Sequence, residues 1–311
     1  EAGARAVVAH PSLVPRIEAV RGSLPPETNF YVLDGEAEGW RDYRAWIASA
    51  SFEPLRVEVD ADFVLYQMYT SGTTGRPKGA MLTQHSVVSN AVQCAPVINV
   101  PIHEQDRALV VMPLFHAGAT SFAFNALVGG ATLVIHREFN ARALIDALSG
   151  DITIVNVVPA MLQMAMNEVP DIAMRDYGKL RTIIYGASPI AEDTLRKALA
   201  IFGCAFAQGF GQTEASAVLT FLTHADHLRA LAGRPALLTS AGRPVAGTEL
   251  AIVDAEDRQL PQGQVGEIVA RGPQVMKGYW NNEAETAAAL RGGWLHTGDA
   301  GYLDAEGYLY I

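Results

Sequence analysis

The sequence predicts an α/β protein with largely parallel, buried strands, followed by a small antiparallel β subdomain. Between residues 62 and 208, short apolar runs alternate with helical patterns, and this alternation is typical of parallel sheets covered by helices. From about Ala236 onward, glycine and proline become frequent and turns separate short strands, which is typical of an antiparallel β unit. The chain has 311 residues, 50% of them hydrophobic, and is therefore long enough to bury a substantial core.

The individual elements follow from the same patterns. Residues 1–61 are less regular and contain one strand, at 6–8, and one or two helices. Strands are predicted at 64–69, 108–112, 132–135, 152–157, 180–185, 249–253 and 265–270. Helices are predicted at 86–95, 141–148, 159–167 and 191–202. Asn140 suits an N-cap and Pro159 suits a first helical turn.

Composition excludes several classes of protein. The net charge of -10 argues against nonspecific nucleic-acid binding, which needs a basic face. Two cysteines, Cys94 and Cys204, make neither a disulfide scaffold nor a zinc site, and we expect buried or partly buried thiols.

The run 108–135 lacks Asp, Glu, Lys and Arg. Proline and glycine interrupt it, so we interpret it as strand, loop, helix and strand rather than a membrane span. No secretory signal is visible, so we expect a cytoplasmic protein, with peripheral membrane contact left open.

The most informative segment runs from Tyr69 to Gly79 and reads Tyr-Thr-Ser-Gly-Thr-Thr-Gly-Arg-Pro-Lys-Gly. Glycines let backbone N–H groups approach an anion closely, and hydroxyls and a lysine add donors and charge. The segment therefore predicts a phosphate-binding loop. Its candidate residues are Thr70, Ser71, Gly72, Thr73, Thr74, Gly75 and Lys78. It is not a Walker A loop, because its lysine stands between a proline and a glycine. The alternative is a flexible surface loop.

Other motifs follow predicted strands. His116 stands in Pro-Leu-Phe-His-Ala-Gly, where a lone histidine is usually a packed core or turn residue. The stretch 185–189, Tyr-Gly-Ala-Ser-Pro, superficially resembles a serine nucleophile elbow, but Ile190 replaces the last glycine, which excludes a hydrolase. The stretch 208–214, Gln-Gly-Phe-Gly-Gln-Thr-Glu, could also be a glycine turn before an acidic helix start.

Two further groups of polar residues have candidate functional roles. The stretch 294–299, Trp-Leu-His-Thr-Gly-Asp, ends in a carboxylate that can accept hydrogen bonds from two hydroxyls. His224, Asp226 and His227 could suggest a metal, but no second ligand pair stands at zinc-like spacing. We therefore expect a solvated loop there.

These motifs, in this order, resemble those of the adenylate-forming superfamily, which includes acyl- and aryl-CoA synthetases, luciferases and adenylation domains of peptide synthetases. The resemblance covers residues 62–311, is weak for 1–61, and is closest to medium- and long-chain fatty-acid CoA ligases. It implies the large N-terminal domain of these enzymes. Two α/β subdomains with mainly parallel sheets would form a nucleotide- and acyl-binding region at 1–235. A small antiparallel β-barrel-like subdomain would form 236–311.

Both ends of the chain look truncated, at Glu1 and Ile311, and the family's C-terminal domain with its catalytic lysine is not included. We therefore expect these 311 residues alone to bind nucleotide but to activate acids weakly or not at all.

The resemblance implies a role for each motif. The loop around Lys78 would hold the triphosphate. His116 would position the acid and gate its pocket, which Phe122, Phe124 and Leu127 could line unless they are simply core.

The backbone of Gly186, Ala187 and Ser188 would border the adenine. In the next motif Gly209, Phe210, Gly211, Gln212 and Thr213 would bind nucleotide. Phe210 would stack on adenine where the family more often has tyrosine, Thr213 would bond the α-phosphate, and Glu214 would hold Mg²⁺. Asp299 would bind the ribose, and the catalytic candidates are His116, Thr213 and Glu214.

The implied function is that of an acid-thiol ligase. With ATP, Mg²⁺ and coenzyme A it would convert a carboxylic acid, with a fatty acid favoured, to an acyl-adenylate and then to acyl-CoA, releasing AMP and pyrophosphate. The alternatives are a CoA-independent adenylation domain for an aryl or amino acid, a luciferase-like oxygenase, a non-catalytic nucleotide-binding module and a phosphate-loop NTPase.

Overall fold

The structure, a computed structural model, describes residues 2–54, 56–70, 76–96 and 102–311. The chain divides into two compact units, residues 1–59 and 60–311. The predicted phosphate-binding residues Ser71, Gly72, Thr73, Thr74 and Gly75 lie outside the described residues.

The first unit is a small parallel sheet with two short helices. Its strands are β1 (Ala6–Ala9), β2 (Asn29–Val32) and β3 (Arg41–Asp42), in that spatial order, and its helices are α1 (Val14–Glu18) and α2 (Tyr43–Ala48). The Tyr31 ring is stacked on Trp46, with centroids 4.4 Å apart. The strand predicted at 6–8 is confirmed. The strands β2 and β3 were not predicted, because strands this short show no clear alternation of apolar and polar residues.

The second unit begins with an antiparallel hairpin of β4 (Val64–Thr70) and β5 (Lys78–Thr83). Thr70 lies opposite Lys78. The prediction of β4 is confirmed, but its inclusion in the parallel alternation is wrong. The connection 71–77 is too short for the crossover that parallel strands need, so the next strand must return antiparallel.

Seven strands form the central sheet of this unit. They are β6 (Arg107–Val110), β7 (Thr132–Ile135), β8 (Ile154–Val157), β9 (Thr182–Gly186), β10 (Ala205–Phe210), β11 (Thr220–Leu222) and β12 (Arg243–Pro244). The spatial order is β12-β11-β10-β9-β8-β6-β7, and β6 to β10 run parallel. The predicted parallel arrangement is confirmed for β6 to β9, and β10 is a parallel strand that the sequence analysis did not predict. The chain leaves β6 for β7 on one side and then crosses to β8 on the other. The carboxyl ends of β6 and β8 therefore flank a topological switch point, where open α/β sheets bind ligands.

Helices cover both faces of the central sheet. They are α3 (Gln84–Cys94), α4 (Ala117–Val128), α5 (Ala141–Leu148), α6 (Pro159–Glu168), α7 (Glu192–Phe202) and α8 (His224–Leu231). Leu109 and Ile183 pack in one core cluster with residues of α5, α6 and α7, whereas the adjacent Ala108 and Ile184 pack in another with residues of α3 and α4. This period of two is that of strands buried on both faces.

The predicted helices are confirmed, with ends that shift by no more than one or two residues. The uncharged run 108–135 forms β6, a loop, α4 and β7, as predicted. None of the described helices combines the length and the apolar composition that crossing a bilayer requires. Cys94 is buried and Cys204 partly buried, also as predicted.

The last part of the chain forms the predicted antiparallel sheet. Its strands are β13 (Glu249–Val253), β14 (Gly266–Arg271), β16 (Leu295–Leu303) and β17 (Leu309–Tyr310). Between them, β15 (Gly278–Tyr279) pairs with β5 of the hairpin and α9 (Glu283–Ala289) follows. The exact domain boundary at 235/236 stays a prediction.

The expectation of a solvated loop at His224, Asp226 and His227 is wrong, because these residues begin α8. Thr223 and Asp226 form a capping box that satisfies backbone donors at the helix start. His227 is fully buried. Its Nδ1 donates to the Thr223 carbonyl (2.7 Å), and its Nε2 accepts from the Tyr185 hydroxyl (2.8 Å). A neutral ring with its proton on Nδ1 satisfies both contacts, and burial favours this form by lowering the pKa of His227.

We expect the free energy of unfolding to decrease as the pH falls below about 6.5, the usual pKa of histidine. Burial lowers the pKa of His227 in the folded protein, so the unfolded chain binds a proton that the folded chain resists. The stability contribution is complete above about pH 6.5 and is lost progressively toward the lowered pKa. Each such histidine adds a slope of at most about 1.4 kcal/mol per pH unit. His224, whose pKa burial also lowers, adds to it.

Urea unfolding between about pH 5 and pH 7.5 measures this slope. His227→Gln should reduce it, whereas His85→Gln, at an exposed position, should not. Equal slopes in the parent and in His227→Gln would contradict the assignment.

Candidate functional site

A cavity of about 530 Å³ lies at the carboxyl ends of the parallel strands. Segments that follow β6, β8, β9 and β10 line it, because parallel strands deliver their ends to one edge of the sheet. Its volume is in the range of small-molecule sites. The predicted site residues among its walls are Thr70, His116, Gly186, Ala187, Gly209, Gly211, Gln212, Thr213 and Glu214.

Four other predicted site residues, among those that the structure describes, do not line this cavity. Ser188 follows Ala187 and is exposed. Phe210 packs against apolar side chains of the small antiparallel sheet, whereas the glycines on either side of it line the cavity. Asp299 is half-buried on β16, and burial raises the pKa of its carboxyl. The fourth, Lys78, is held by an ion pair described below.

Glycine is required where the backbones of the cavity wall approach one another. Gly186 of β9 lies opposite Gly209 of β10, and a Cβ on Gly186 would lie 2.2 Å from the Gly209 carbonyl oxygen. A Cβ on Gly211 would lie 2.1 Å from the carbonyl oxygen of Ala217. The wall here is therefore bare backbone, which a flat ring can approach closely.

Residues with unfavourable backbone angles lie in the cavity wall, at Ala187 and Ala217, and next to it, at Ser216. Ala187, Ser216 and Ala217 have φ values of 63°, 55° and 109°, a region that side chains rarely adopt. The buried Ser216 hydroxyl donates to the carbonyl of Gln274 (2.9 Å). Such strain persists only where the surrounding structure imposes it, and it concentrates at functional sites.

Glu214 is the buried carboxylate of this wall. It lies in a 3₁₀ turn, Thr213–Ala215, directly after β10 and is 9% exposed. Its Oε1 accepts hydrogen bonds from the Tyr279 hydroxyl (2.8 Å) and the Thr70 hydroxyl (3.4 Å). The hydrogen bonds of the described residues leave Oε2 without a partner. Among the described residues the carboxylate is therefore held through one oxygen, by two neutral hydroxyls.

Lys78 contacts Tyr279, one of the residues that hold Glu214. Its side chain is 12% exposed and forms an ion pair with Glu285 of α9. Its ammonium also lies 5.3 Å from the centroid of the Tyr279 ring, within the range of a cation–π contact. Burial and the Glu214 charge raise the pKa of Tyr279, so its hydroxyl stays protonated and donates.

Tyr279, which contacts Glu214, is a residue that the sequence analysis missed. It reaches Glu214 because β15 pairs with β5, which is far from it in sequence. The hydrogen bond to Glu214 spans 65 residues, so no local pattern could reveal it.

Helix α4 forms the other half of the cavity. His116 is its N-cap residue, and its carbonyl accepts from the backbone N–H of Ala119 and of Thr120. The side chain is exposed and borders the cavity, so it is not a core histidine. Phe122 is buried and lines the cavity. Phe124 and Leu127 instead line a separate apolar cavity of about 710 Å³.

A second group of ionisable residues lies outside the cavity. Ligand atoms of Asp257, Glu267 and His296 lie within 4.8 Å of one another. Arg291 ion-pairs with both carboxylates, at 2.9 and 3.2 Å. The arginine offsets part of the negative charge of the two carboxylates, so the group is best described as a surface ion-pair network.

Comparisons with known proteins find similar sequences and similar folds. The sequence pattern of the family described as AMP-binding enzyme matches residues 1–280. A fatty acid–[acyl-carrier-protein] ligase, ScoC, from Streptomyces coeruleorubidus is 36% identical over 315 residues, covering 100% of this chain and 58% of that protein. A feruloyl-CoA synthase from Amycolatopsis sp is 38% identical over 265 residues, covering 85% of this chain and 52% of that protein.

A similar solved structure is the N-terminal domain of FACL13 from Mycobacterium tuberculosis, with a TM-score of 0.86 and 32% identity. The match covers 99% of this chain and 73% of that one. The chain spans about half of the length of the curated relatives it matches.

We expect Tyr279→Phe to lower the free energy of unfolding by about 1–2 kcal/mol, because a hydrogen bond to a buried carboxylate is lost. Tyr69→Phe is the matched control. Its hydroxyl accepts from Gln67 on a side chain that is 45% exposed, so the change should be within about 0.5 kcal/mol. Urea unfolding measures both, and an unchanged stability of Tyr279→Phe would show that the contact to Glu214 is not formed.

Proposed function

Because the chain belongs to the AMP-binding enzyme family, we propose that the protein activates a carboxylic acid with ATP and transfers the acyl group to coenzyme A. The observation that carries this proposal is the single cavity in which His116, the Gly186–Gly209 backbone and Glu214 meet. One end of it offers bare backbone and polar groups to a nucleotide. The other end offers a mostly apolar helix face to an acid.

The reaction has two steps. A carboxylate oxygen attacks the α-phosphorus of ATP, the bond from that phosphorus to pyrophosphate breaks, and an acyl-adenylate forms. The sulfur of coenzyme A then attacks the acyl carbonyl carbon, the thiol proton is released, and AMP leaves. Positioning and charge neutralisation are the main tasks of the protein in the first step.

Each residue of the cavity then has a proposed task. The backbone at Gly186 and Ala187 borders the adenine, and the Thr213 hydroxyl donates to the α-phosphate. His116, at the start of α4, orients the carboxylate of the acid. The stacking of Phe210 on adenine and the binding of ribose by Asp299 belong to the same proposal, although neither side chain lines the cavity.

Lys78 and Ser188 complete the proposed nucleotide contacts. Ser188 would extend the adenine border beyond Ala187. Lys78 would have to exchange its ion pair with Glu285 for a phosphate, which would leave that carboxylate unpaired. We propose the hydroxyls of the loop, rather than this lysine, as the principal phosphate donors.

The donor set at Glu214 fits Mg²⁺. The cation takes oxygen ligands and is usually held by one or two carboxylates together with phosphates. Oε1 of Glu214 is held by two hydroxyls, and Oε2 has no donor among the described residues. Mg²⁺ bound there would neutralise charge on the triphosphate. Glu214 would hold it, and Tyr279 and Thr70 would keep the carboxylate in place.

The acid and the acceptor are the finer parts of the proposal. The apolar lining, including Met112, Phe122 and Val158, suits a fatty or aryl acid. The relatives named above use different acceptors, a carrier protein or coenzyme A, and we propose coenzyme A. A cytoplasmic location, peripheral membrane contact and weak activity of the 311 residues alone stay predictions.

Product analysis of the full-length protein tests the proposal. With ATP, a panel of fatty and aryl acids and coenzyme A, we expect AMP to form only when an acid is present. We also expect pyrophosphate exchange into ATP without coenzyme A. Release of ADP without any acid would indicate a phosphate-loop NTPase. Nucleotide binding without turnover of any acid would indicate a non-catalytic module.

Glu214→Gln in the full-length protein should reduce acid-dependent pyrophosphate exchange about a hundredfold or more, the usual cost of losing one electrostatic contact to a reacting group. The substitution preserves shape and an accepting oxygen but removes the charge. Glu267→Gln, on β14 outside the cavity, is the control and should retain the parental rate. Near-parental exchange by Glu214→Gln would refute its assigned role.

A further inference from the structure

We propose that the acid carries a hydroxyl group at the end away from its carboxylate, and that Asn125 accepts the hydrogen bond from this hydroxyl. The inference rests on the proposed function, because it concerns the acid-binding half of the same cavity. It makes Asn125 a residue that determines specificity.

The cavity follows one face of α4. Ala117, Gly118, Ser121, Phe122 and Asn125 all line it, and their spacing places them on the same side of a helix. From Ala117 to Asn125 the helix rises about 12 Å. An acid whose carboxylate lies beside the helix start would extend along this face toward Asn125.

The far end of this face is polar although its surroundings are apolar. Oδ1 of Asn125 is buried and has no hydrogen-bond partner among the described residues. The nearby Cys94 thiol donates to Oδ1 of Asn90 (4.0 Å), not to this oxygen. Burial raises the pKa of Cys94 to about 12, so the thiol carries no charge.

Ser121 adds a second acceptor. Its hydroxyl donates to Oδ1 of Asn90 (3.2 Å), and Nδ2 of Asn90 donates to the Val218 carbonyl (2.9 Å). The second bond identifies Nδ2 of Asn90 as the donor and Oδ1 as the acceptor of this amide. The hydroxyl proton of Ser121 is therefore already used in the bond to Oδ1 of Asn90. Only lone pairs of Ser121 remain for a ligand.

This end of the cavity therefore presents acceptors that lack a donor, beside the N–H groups of the Asn125 amide. A plain hydrocarbon end would bury these acceptors without a partner, which is unfavourable. A charged amine would need a carboxylate, and the one carboxylate among the described lining residues is Glu214, at the nucleotide end. A neutral hydroxyl matches both observations, and a site built around such a bond discriminates strongly against the analogue that lacks it.

Acid-dependent pyrophosphate exchange of the full-length protein tests this with matched pairs. One pair is para-hydroxyphenylpropanoate and phenylpropanoate, and the other is ω-hydroxydecanoate and decanoate. In at least one pair we expect kcat/KM to be about tenfold or more higher for the hydroxylated acid, which corresponds to one hydrogen bond. The pair that responds identifies an aryl or an aliphatic acid.

The variant Asn125→Leu should abolish or reverse this preference while still activating the unsubstituted acid. Val128→Ala is the control. Val128 lies on the same helix, is 64% exposed and lines neither cavity, so the parental preference should be kept. Should Asn125→Leu fail to fold, the ratio measured for the parent decides alone.

Exchange with the unsubstituted acids and no advantage for either hydroxylated acid would overturn the role of Asn125 and leave the proposed function standing. An unchanged preference in folded Asn125→Leu would do the same. The absence of exchange with every acid would overturn the proposed function and this inference together.

Discussion

The site depends on the parallel arrangement of β6, β8, β9 and β10, whose carboxyl ends meet at one edge of the central sheet. The segments that leave these strands converge on a single cavity, although they are far apart in sequence. Between β9 and β10 the approach of Gly186 to the carbonyl of Gly209 leaves no room for a side chain. The sheet thus fixes the position of the site. The close approach of its strands also keeps side chains out of this part of the cavity wall.

A buried carboxylate is the main electrostatic feature of this edge. Glu214 has neutral hydroxyl partners, Thr70 and Tyr279, and no cation is bonded to it among the described residues. The nearby Lys78 is already paired with Glu285. The charge of Glu214 is therefore stabilised but not neutralised, which suits a residue that must attract a cation. The hairpin and α9 form a scaffold that holds this carboxylate in place.

Much of the fold could be predicted from sequence, because it depends on local patterns. Apolar runs of the right length marked β6 to β9, and helical periodicity with caps such as Asn140 marked the helices between them. The motifs also indicated which residues share the cavity, since most of them follow those strands directly. Their roles came from the family resemblance and stay predictions.

What could not be predicted depends on long-range pairing. The ion pair of Lys78 and Glu285 joins residues 207 positions apart, and β15 brings Tyr279 to Glu214 by pairing with the hairpin. His227 looked like part of a polar surface loop, because its burial depends on Tyr185 of a distant strand. The unpartnered oxygen of Asn125 is likewise visible only after the helix has been packed.

A crystal structure of the protein with a non-hydrolysable acyl-adenylate analogue tests the central claim most directly. The account predicts the adenine against the backbone of Gly186 and Ala187, the phosphate group near Thr213, and the acyl group along the face of α4 that carries Phe122. Electron density for the analogue at another place, with this cavity empty, would contradict it.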